Sequence, residues 1–568
     1  MVENRGADEG FPDSLDAVAE MVAEFGVGKR RLREALAILT ERRQTVESLV
    51  RASALPRRTV ESLLRAADRD LDSNADGALI RADRAAAYRD RFAIGQLRRS
   101  QVTDPLETQL AARRALIAQI DADITAAPAA RDAMDHVAAT AETVVRRALW
   151  LNATFDLAGS RLLCIGDHDL SSLAISALVP ELAVTVLDVD EQLLEFIGSR
   201  AARRGYSIQC WYADFRFGIP GIAAESADLV LTDPPYTPEG VQLFLGRGAQ
   251  GLRDRTHGRL VMAYGFSPLH PALGLKVQRA VQELDLVAEA ILPAFNRYHG
   301  AQAVGSASDL YLLRPTARTF RILGKKLASV AVNIYTHGGQ SLEGGPGTLD
   351  PGVAGAGIRI AAGAEDGTLL LAGAGWPTVP DGASASDLAS LFGSGVPAPA
   401  GRERPLRVAV NLADDPGPWL LRVLLAVNAD RLAVLVPNNH PDLASQEPQR
   451  ALTSLAAPKY SLRLRRSTPA PHYAVVEATA VTSGPAARTV AHDLLCRAHG
   501  KVGNVWREAL IRHHAERPGE PLTRNEARSL IAGTATEPAW LDARLIDLPR
   551  HAIRTLLSEA EASVEALA

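Results

Sequence analysis

Four short acidic stretches carry residue types suited to chemistry on a cation. The first is Gly166-Asp167-His168-Asp169, directly after the apolar run Arg161–Ile165. A loop that cradles phosphate at this place would be rich in glycine, so that backbone N–H groups could approach the anion. Carboxylates here repel a pyrophosphate and attract an amine or a sulfonium. The second is Asp188, with Asp190 two residues on, closing the run Val184-Thr185-Val186-Leu187. An acid at such a strand end can accept from both hydroxyls of a ribose. The third, Asp214, follows Ile208–Trp211 and has the position of an acceptor for an adenine amino group. The fourth is Asp233-Pro234-Pro235-Tyr236, after Leu229–Thr232. Its prolines fix the backbone and cannot donate, leaving carbonyls to face a cleft. A carboxylate beside such a carbonyl can hold an amine with its lone pair aimed at carbon. Tyr236 offers a ring face to an alkyl ammonium or a base. Together these residues outline an unphosphorylated adenosine with a cationic tail, that is, S-adenosylmethionine or a relative.

The elements that must position them follow from periodicity. Short apolar runs at Arg161–Ile165, Val184–Asp188, Ile208–Trp211, Ala227–Thr232, Arg259–Tyr264, Leu286–Leu292 and Asp309–Leu313 alternate with helical patterns. This is the signature of a doubly wound, mainly parallel α/β sheet. Ligands of such sheets bind at the carboxyl ends of the strands, where all four stretches lie. A plain capping role is the alternative for each acid taken singly.

With those residues in view, the chain resembles the branched-chain polyamine synthase family, also called N4-bis(aminopropyl)spermidine synthase. The runs that carry the resemblance are Thr140–Arg147, Leu163–Leu170, Thr232–Gly240 and Phe295–Ala301, within roughly residues 20–335. The resemblance implies an N-terminal winged-helix module and a Rossmann-like domain of the class I methyltransferase type. It also implies transfer of aminopropyl groups from decarboxylated S-adenosylmethionine to a polyamine such as spermidine. The catalytic candidates are then Asp167, His168, Asp169, Asp233 and Tyr236, with Asp233 orienting the nucleophilic nitrogen. The donor would be held by Gly166, Asp188, Asp190, Asp214, Pro234 and Pro235, and no metal is expected. One departure stands out: the family has three consecutive aspartates after the glycine, and here His168 occupies the middle place. Imidazole can accept a proton but supplies no fixed negative charge. Two rival readings stay open: an S-adenosylmethionine-dependent amino-group methyltransferase acting on DNA, and a non-enzymatic polyamine or nucleoside sensor.

The remaining sequence sets the context. At roughly 150 residues per domain, 568 residues suggest three or four. The net charge of −4 excludes a chain governed by nucleic-acid attraction. Three scattered cysteines suit neither a disulfide framework nor a zinc cage. The polar start and the lack of a long apolar run lead us to expect a cytoplasmic protein with no membrane partner. Yet Lys29–Arg65 holds ten cations against four anions, and it repeats Thr-Val-Glu-Ser-Leu at Thr45–Leu49 and Thr59–Leu63. Each threonine is read as a helix cap, giving a helix–turn–helix with Arg57 and Arg58 opening the second helix. DNA could bind there, a reading set against a solvated or domain-packing basic face.

The expected organisation is a helix–turn–helix or winged-helix module at 1–103, a helical connector at 104–150 and the Rossmann-like domain at 151–335. A Gly/Pro-rich, loop-rich segment (336–404) follows, with short strands at Val353–Ala361 and Thr368–Leu371. An α/β domain at 405–490 and a helical region at 491–568 complete the chain. The 405–490 unit is read as either a degenerate repeat or an unrelated packing domain. As a repeat, Arg407–Leu425 would echo the first strand and helix, and Leu432–Asp442 would echo Leu229–Tyr236. Asn438, Asn439 and His440 offer no carboxylate, and Trp506, Arg507, His513 and His514 are read as packing or surface residues. A homodimer is left open.

Overall fold

The computed structural model describes residues 13–97, 106–129, 136–267, 270–299, 307–328, 334, 348–363, 367–396, 405–482, 489–515 and 521–567. Gly300-Ala301, and residues 336–347, 364–366 and 397–404 of the loop-rich segment, lie outside them.

The N-terminal region packs helices Ser14–Glu24, Arg30–Glu41, Val46–Ser53 and Arg57–Ala66 around Leu32, Leu36, Leu49, Val60 and Leu63. An antiparallel hairpin, Leu71–Asn74 with Gly77–Ile80, follows them. Thr45 caps its helix, accepting from Ser48 N at 3.1 Å. Thr59 does not. Pro56 precedes the helix that starts at Arg57, so Thr59 falls inside the first turn, buried and with an unpartnered hydroxyl. Many of the basic side chains are turned onto the module itself. Arg57 pairs with Glu47 and Glu61, Arg43 with Asp72, and Arg33 donates to the carbonyls of Phe92 and Ala93.

Helix α1 (Ala141–Thr154) leads into a seven-stranded sheet: β1 (Arg161–Ile165), β2 (Ala183–Asp188), β3 (Ile208–Tyr212), β4 (Leu229–Thr232), β5 (Arg259–Tyr264), β6 (Leu286–Arg297) and β7 (Ala307–Pro315). Helices α2 (Ser171–Leu178), α3 (Glu191–Arg204), α4 (Pro238–Gly251), α5 (Pro271–Glu283) and α6 (Ala317–Ala328) connect or follow them. The strand order is β3-β2-β1-β4-β5-β7-β6, parallel except for β7, which runs antiparallel to both neighbours. The chain reverses direction between β1 and β4, which is where an open sheet forms its crevice. Helix α4 lies close on β1 because Gly251 has no side chain: a Cβ there would fall 2.2 Å from Leu163 Cδ2.

A second sheet follows: β8 (Thr368–Ala372), β9 (Ser384–Ser386), β10 (Leu406–Asn411), β11 (Arg431–Pro437), β12 (Tyr460–Arg465) and β13 (Tyr473–Ala480), in the order β9-β8-β10-β11-β13-β12. Helix α7 (Pro351–Ala362) precedes it, correcting the strand expected at Val353–Ala361: Asp350 caps this segment and Pro351 opens its first turn. The unit also starts before residue 405, since β8 pairs in parallel with β10. Its order is that of the first sheet with β3 left out, and β13 is again antiparallel. This shifts the correspondence expected from sequence by one strand. β10, not β11, occupies the place of β4, and β8 that of β1. Helices α8 (Trp419–Ala426), α9 (Val490–Cys496), α10 (Val502–Ala515), α11 (Arg524–Thr534) and α12 (Arg550–Glu565) complete the chain. One apolar core runs from Ile165, Val230 and Phe244 of the first unit to Leu424, Val434 and Trp506 of the second. Among the described residues no helix is long and apolar enough to cross a membrane.

Candidate active site

A cleft opens at the carboxyl ends of β1, β2, β3 and β4. His136, Gly166, His168, Asp188, Asp214, Phe215, Asp233, Pro235 and Phe244 are among the residues lining it. Gly166 is in the left-handed region at φ +72, which turns the chain sharply out of β1.

Below the cleft lies a residue to which the sequence reading gave no role. Arg147, on the buried face of α1 and only 2% exposed, donates to Asp169 Oδ2 at 2.7 Å and to Asp233 Oδ2 at 2.8 Å. Its remaining donors reach Asn296 Oδ1 at 2.7 Å and the Tyr298 hydroxyl at 3.1 Å. Tyr298 itself donates to Asp233 Oδ2 at 2.8 Å. The available signal was position: Arg147 sits among Val144, Val145 and Ala148 on an apolar helix face, where a charge must find partners.

The carboxylates therefore take different parts. Asp233 lines the cleft with one oxygen fixed by Arg147 and Tyr298. Burial lifts its pKa to about 6, against the pull of Arg147. Asp188 also lines the cleft. Its oxygens accept from Asp190 N at 2.8 Å and Asp167 N at 3.1 Å, and burial lifts it to about 6. Asp167 faces the start of α2, accepting from Ser172 N at 3.2 Å, and burial carries it to about 7. Asp169 accepts from Ala139 N at 2.8 Å as well as from Arg147. Burial would raise it, but His168 and Arg147 draw it down to about 2. Asp190 leaves the site altogether: its carboxylate caps α3 through Gln192 N and Leu193 N.

His168 lies flat against His136, with ring centres 4.6 Å apart and 2° between planes. Its Nε2 is 3.2 Å from Val137 O and 3.4 Å from Asp169 Oδ1. Burial disfavours its charged form, yet Asp169 and Asp233 carry its pKa above the usual histidine value. Tyr236 is half-buried against Tyr264, with ring centres 5.9 Å apart, and Pro234 is buried behind Pro235.

Asp214 lines the cleft but is already engaged. Its oxygens accept from Arg216 N at 3.1 Å, Arg216 Nε at 2.8 Å, Arg216 Nη2 at 2.5 Å and Trp419 Nε1 at 2.8 Å. A carboxylate has about four lone-pair positions, so these donors fill it. Among the described residues no three His, Cys, Asp or Glu side chains gather as a metal cage.

In the second unit the matching strand ends are closed by the chain's own groups. Asn411, ending β10, donates to Ala374 O beyond β8 at 2.7 Å. Asp415 accepts from Gly417 N, Trp419 N, Leu420 N and His440 Nε2 at 2.7 to 3.1 Å. His440 is thus a satisfied core residue, and Trp506 likewise packs inside, donating to Ser563 Oγ at 3.0 Å.

The strand order, its antiparallel seventh strand and a cleft at the carboxyl ends define a Rossmann-like domain of the class I methyltransferase type. Residues 115–314 match the family model of the branched-chain polyamine synthase A C-terminal domain. An uncharacterized protein of Methanocaldococcus jannaschii is 32% identical over 191 residues, covering 33% of this chain and 47% of that protein. N(4)-bis(aminopropyl)spermidine synthase of Thermococcus kodakarensis is 35% identical over 120 residues, covering 21% of this chain and 34% of that enzyme. The chain thus spans less than half the length of either. A solved structure of a branched-chain polyamine synthase mutein from Thermus thermophilus, in complex with N4-aminopropylspermidine and 5′-methylthioadenosine, aligns at 21% identity. It covers 53% of this chain and 92% of its own, with a TM-score of 0.38.

Proposed function

We propose that the chain is an aminopropyltransferase that moves an aminopropyl group from decarboxylated S-adenosylmethionine to an amine of a polyamine such as spermidine. The observation that carries this reading is the carboxylate-loaded cleft at the switch point of the first sheet. Asp188 and Asp233 line it, and Asp169 and Asp167 lie behind them, with one arginine among four acids. Such a field favours a polycation and a sulfonium and disfavours a phosphodiester. The match of residues 115–314 to the branched-chain polyamine synthase family model supports the same reading.

In the proposed reaction the amine nitrogen attacks the methylene carbon next to sulfur. The N–C bond forms as the C–S bond breaks, and the bonding pair stays on sulfur, which leaves as the neutral thioether of 5′-methylthioadenosine. The amine's surplus proton must go to a base. Asp233, oriented by Arg147 and Tyr298, directs the nitrogen, and His168 is in reach of the same carboxylate field to take the proton. Asp188 would receive the ribose hydroxyls, with Gly166 allowing close approach. The second sheet, whose order repeats the first without β3, is read as a degenerate copy of the fold with no chemistry of its own.

Incubation with either sulfonium donor and a panel of amines, followed by product mass analysis, tests this. A gain of one or two aminopropyl units is expected from the decarboxylated donor. A gain of one methyl from S-adenosylmethionine, or no product, would overturn the reading.

A further inference from the structure

The strand that ends in Asp188 and the strand that leads to Asp214 are held from outside by the second unit. Arg422 of α8 pairs with Glu191, just beyond β2, at 2.6 Å and lies 3.8 Å over the ring of Tyr212, the last residue of β3. Arg550 of α12 joins Glu191 to Asp442. Trp419, the first residue of α8 and 3% exposed, donates to Asp214 at 2.8 Å. It also packs under the Arg216 guanidinium at 4.8 Å and against the Phe217 ring at 5.3 Å. Phe217 in turn meets Phe392 at 4.9 Å. The segment Asp214–Phe217 therefore has two faces. One lines the cleft through Asp214 and Phe215, with Phe215 set edge-on to Phe244 at 4.8 Å. The other is clamped by α8. Asp415 caps the start of α8 and so fixes where Trp419 stands.

We infer that Trp419 is a positioning residue of the donor site: by tying Asp214 and Phe217 to the second unit, it holds the loop after β3 in the shape that receives the adenosine end of the donor. The second unit thereby contributes to donor recognition without touching the reacting atoms. This rests on the reading of the cleft as an adenosine-donor site. A tryptophan N–H bound to a buried carboxylate is among the stronger hydrogen bonds, so its loss is felt by whatever that carboxylate supports.

The test is calorimetric binding of 5′-methylthioadenosine and of S-adenosylhomocysteine to the full chain and to Trp419→Phe, which keeps a ring but loses the donor. Trp506→Phe is the control, since that tryptophan is equally buried and also donates, but to Ser563 in the helical region. The expected result is a loss of nucleoside affinity of about ten-fold in Trp419→Phe, with Trp506→Phe unchanged. With turnover measurable, KM for the donor rises while kcat and the KM for the amine stay near the parent values. Equal affinity in Trp419→Phe and the parent overturns the inference and leaves the donor reading standing. An equal loss in both variants, with both still folded by thermal melting, overturns it as a general packing effect. Failure of the parent chain to bind either nucleoside overturns the donor reading and the inference together.

Discussion

Two sheets in this chain share one strand order apart from a single missing strand, yet their strand ends have opposite character. At β1 and β4 the chain places carboxylates around a space: Asp188 and Asp233 face a cleft, and Arg147 braces Asp169 and Asp233 from below. At β8 and β10 it fills the same places. Asn411 bridges to Ala374, Trp376 donates back to Ala372 O, and Asp415 spends its oxygens on the start of α8 and on His440. The difference shows what a site requires beyond a fold. Burying acids with space left over is costly unless a ligand or a buried cation compensates. The first unit carries that cost and keeps a cleft. The second fills the corresponding places with internal hydrogen bonds, those of Asp415 included.

The sharpest break of this comparison is Asp233→Asn. An amide keeps the shape but loses the charge that orients an amine, so turnover should fall about 10²- to 10⁴-fold in a product-mass assay, with folding retained. Near-parent turnover would remove Asp233 from the chemistry.

A paired measurement of intermediate size follows. Arg147→Ala leaves Asp169 and Asp233 buried without their cation, a loss of about 3–5 kcal/mol of stability in denaturant unfolding. Asp415→Ala strips partners from α8 and His440 and costs about 2–3 kcal/mol. Only the first should also abolish turnover per folded molecule, apart from whatever loosening of Trp419 adds to donor KM. Loss of kcat in Asp415→Ala would show that the second unit does more than support.

The last test is of pH dependence. Burial raises Asp167 to about 7 and Asp188 and Asp233 to about 6, above the unfolded aspartate value near ~3.9. The folded chain thus binds more protons than the unfolded one in this range, and stability falls as pH rises from ~4 through 7. His168, also raised, acts in the same sense. Asp169, held at about 2, stabilises above the unfolded value and loses that contribution only in stronger acid. Unfolding at pH 5 and pH 8 should show the decline, and added spermidine should offset it at pH 8. A flat profile would mean that the cleft acids are not under the expected electrostatic load.

Much of this was legible in sequence because strands announce themselves by short β-rich apolar runs. All seven strands of the first sheet lie within a few residues of their expected places, as does β8. Acids at strand ends marked the cleft for the same reason, since strand ends are where open sheets bind. What stayed hidden depends on contacts far apart in sequence. Asp190 looks like Asp188 on paper, and only the direction of α3 assigns it to a cap. Asp214 gave no sign that Trp419, some two hundred residues on, would claim it. The Val353–Ala361 segment mixes small and β-branched residues that suit a strand, and the Asp350–Pro351 start decides for helix. Thr59 repeats the sequence around Thr45 but not its place in the turn, because Pro56 moves the helix start forward.

Arg147 has a consequence for how the molecule assembles. Its partners lie 22, 86, 149 and 151 residues further along the chain. No local segment can satisfy it, and each partner is gained only by closing a long loop, whose entropic cost is met late in folding. The full set of Arg147's bonds therefore forms only once β6 has joined the sheet. A fragment ending before Asn296 would keep Asp169 and Asp233 as partners for Arg147 but would lack Asn296 and the Tyr298 hydroxyl, which also hold its guanidinium and Asp233. Completion of the first sheet and completion of the network that orients Asp233 thus coincide.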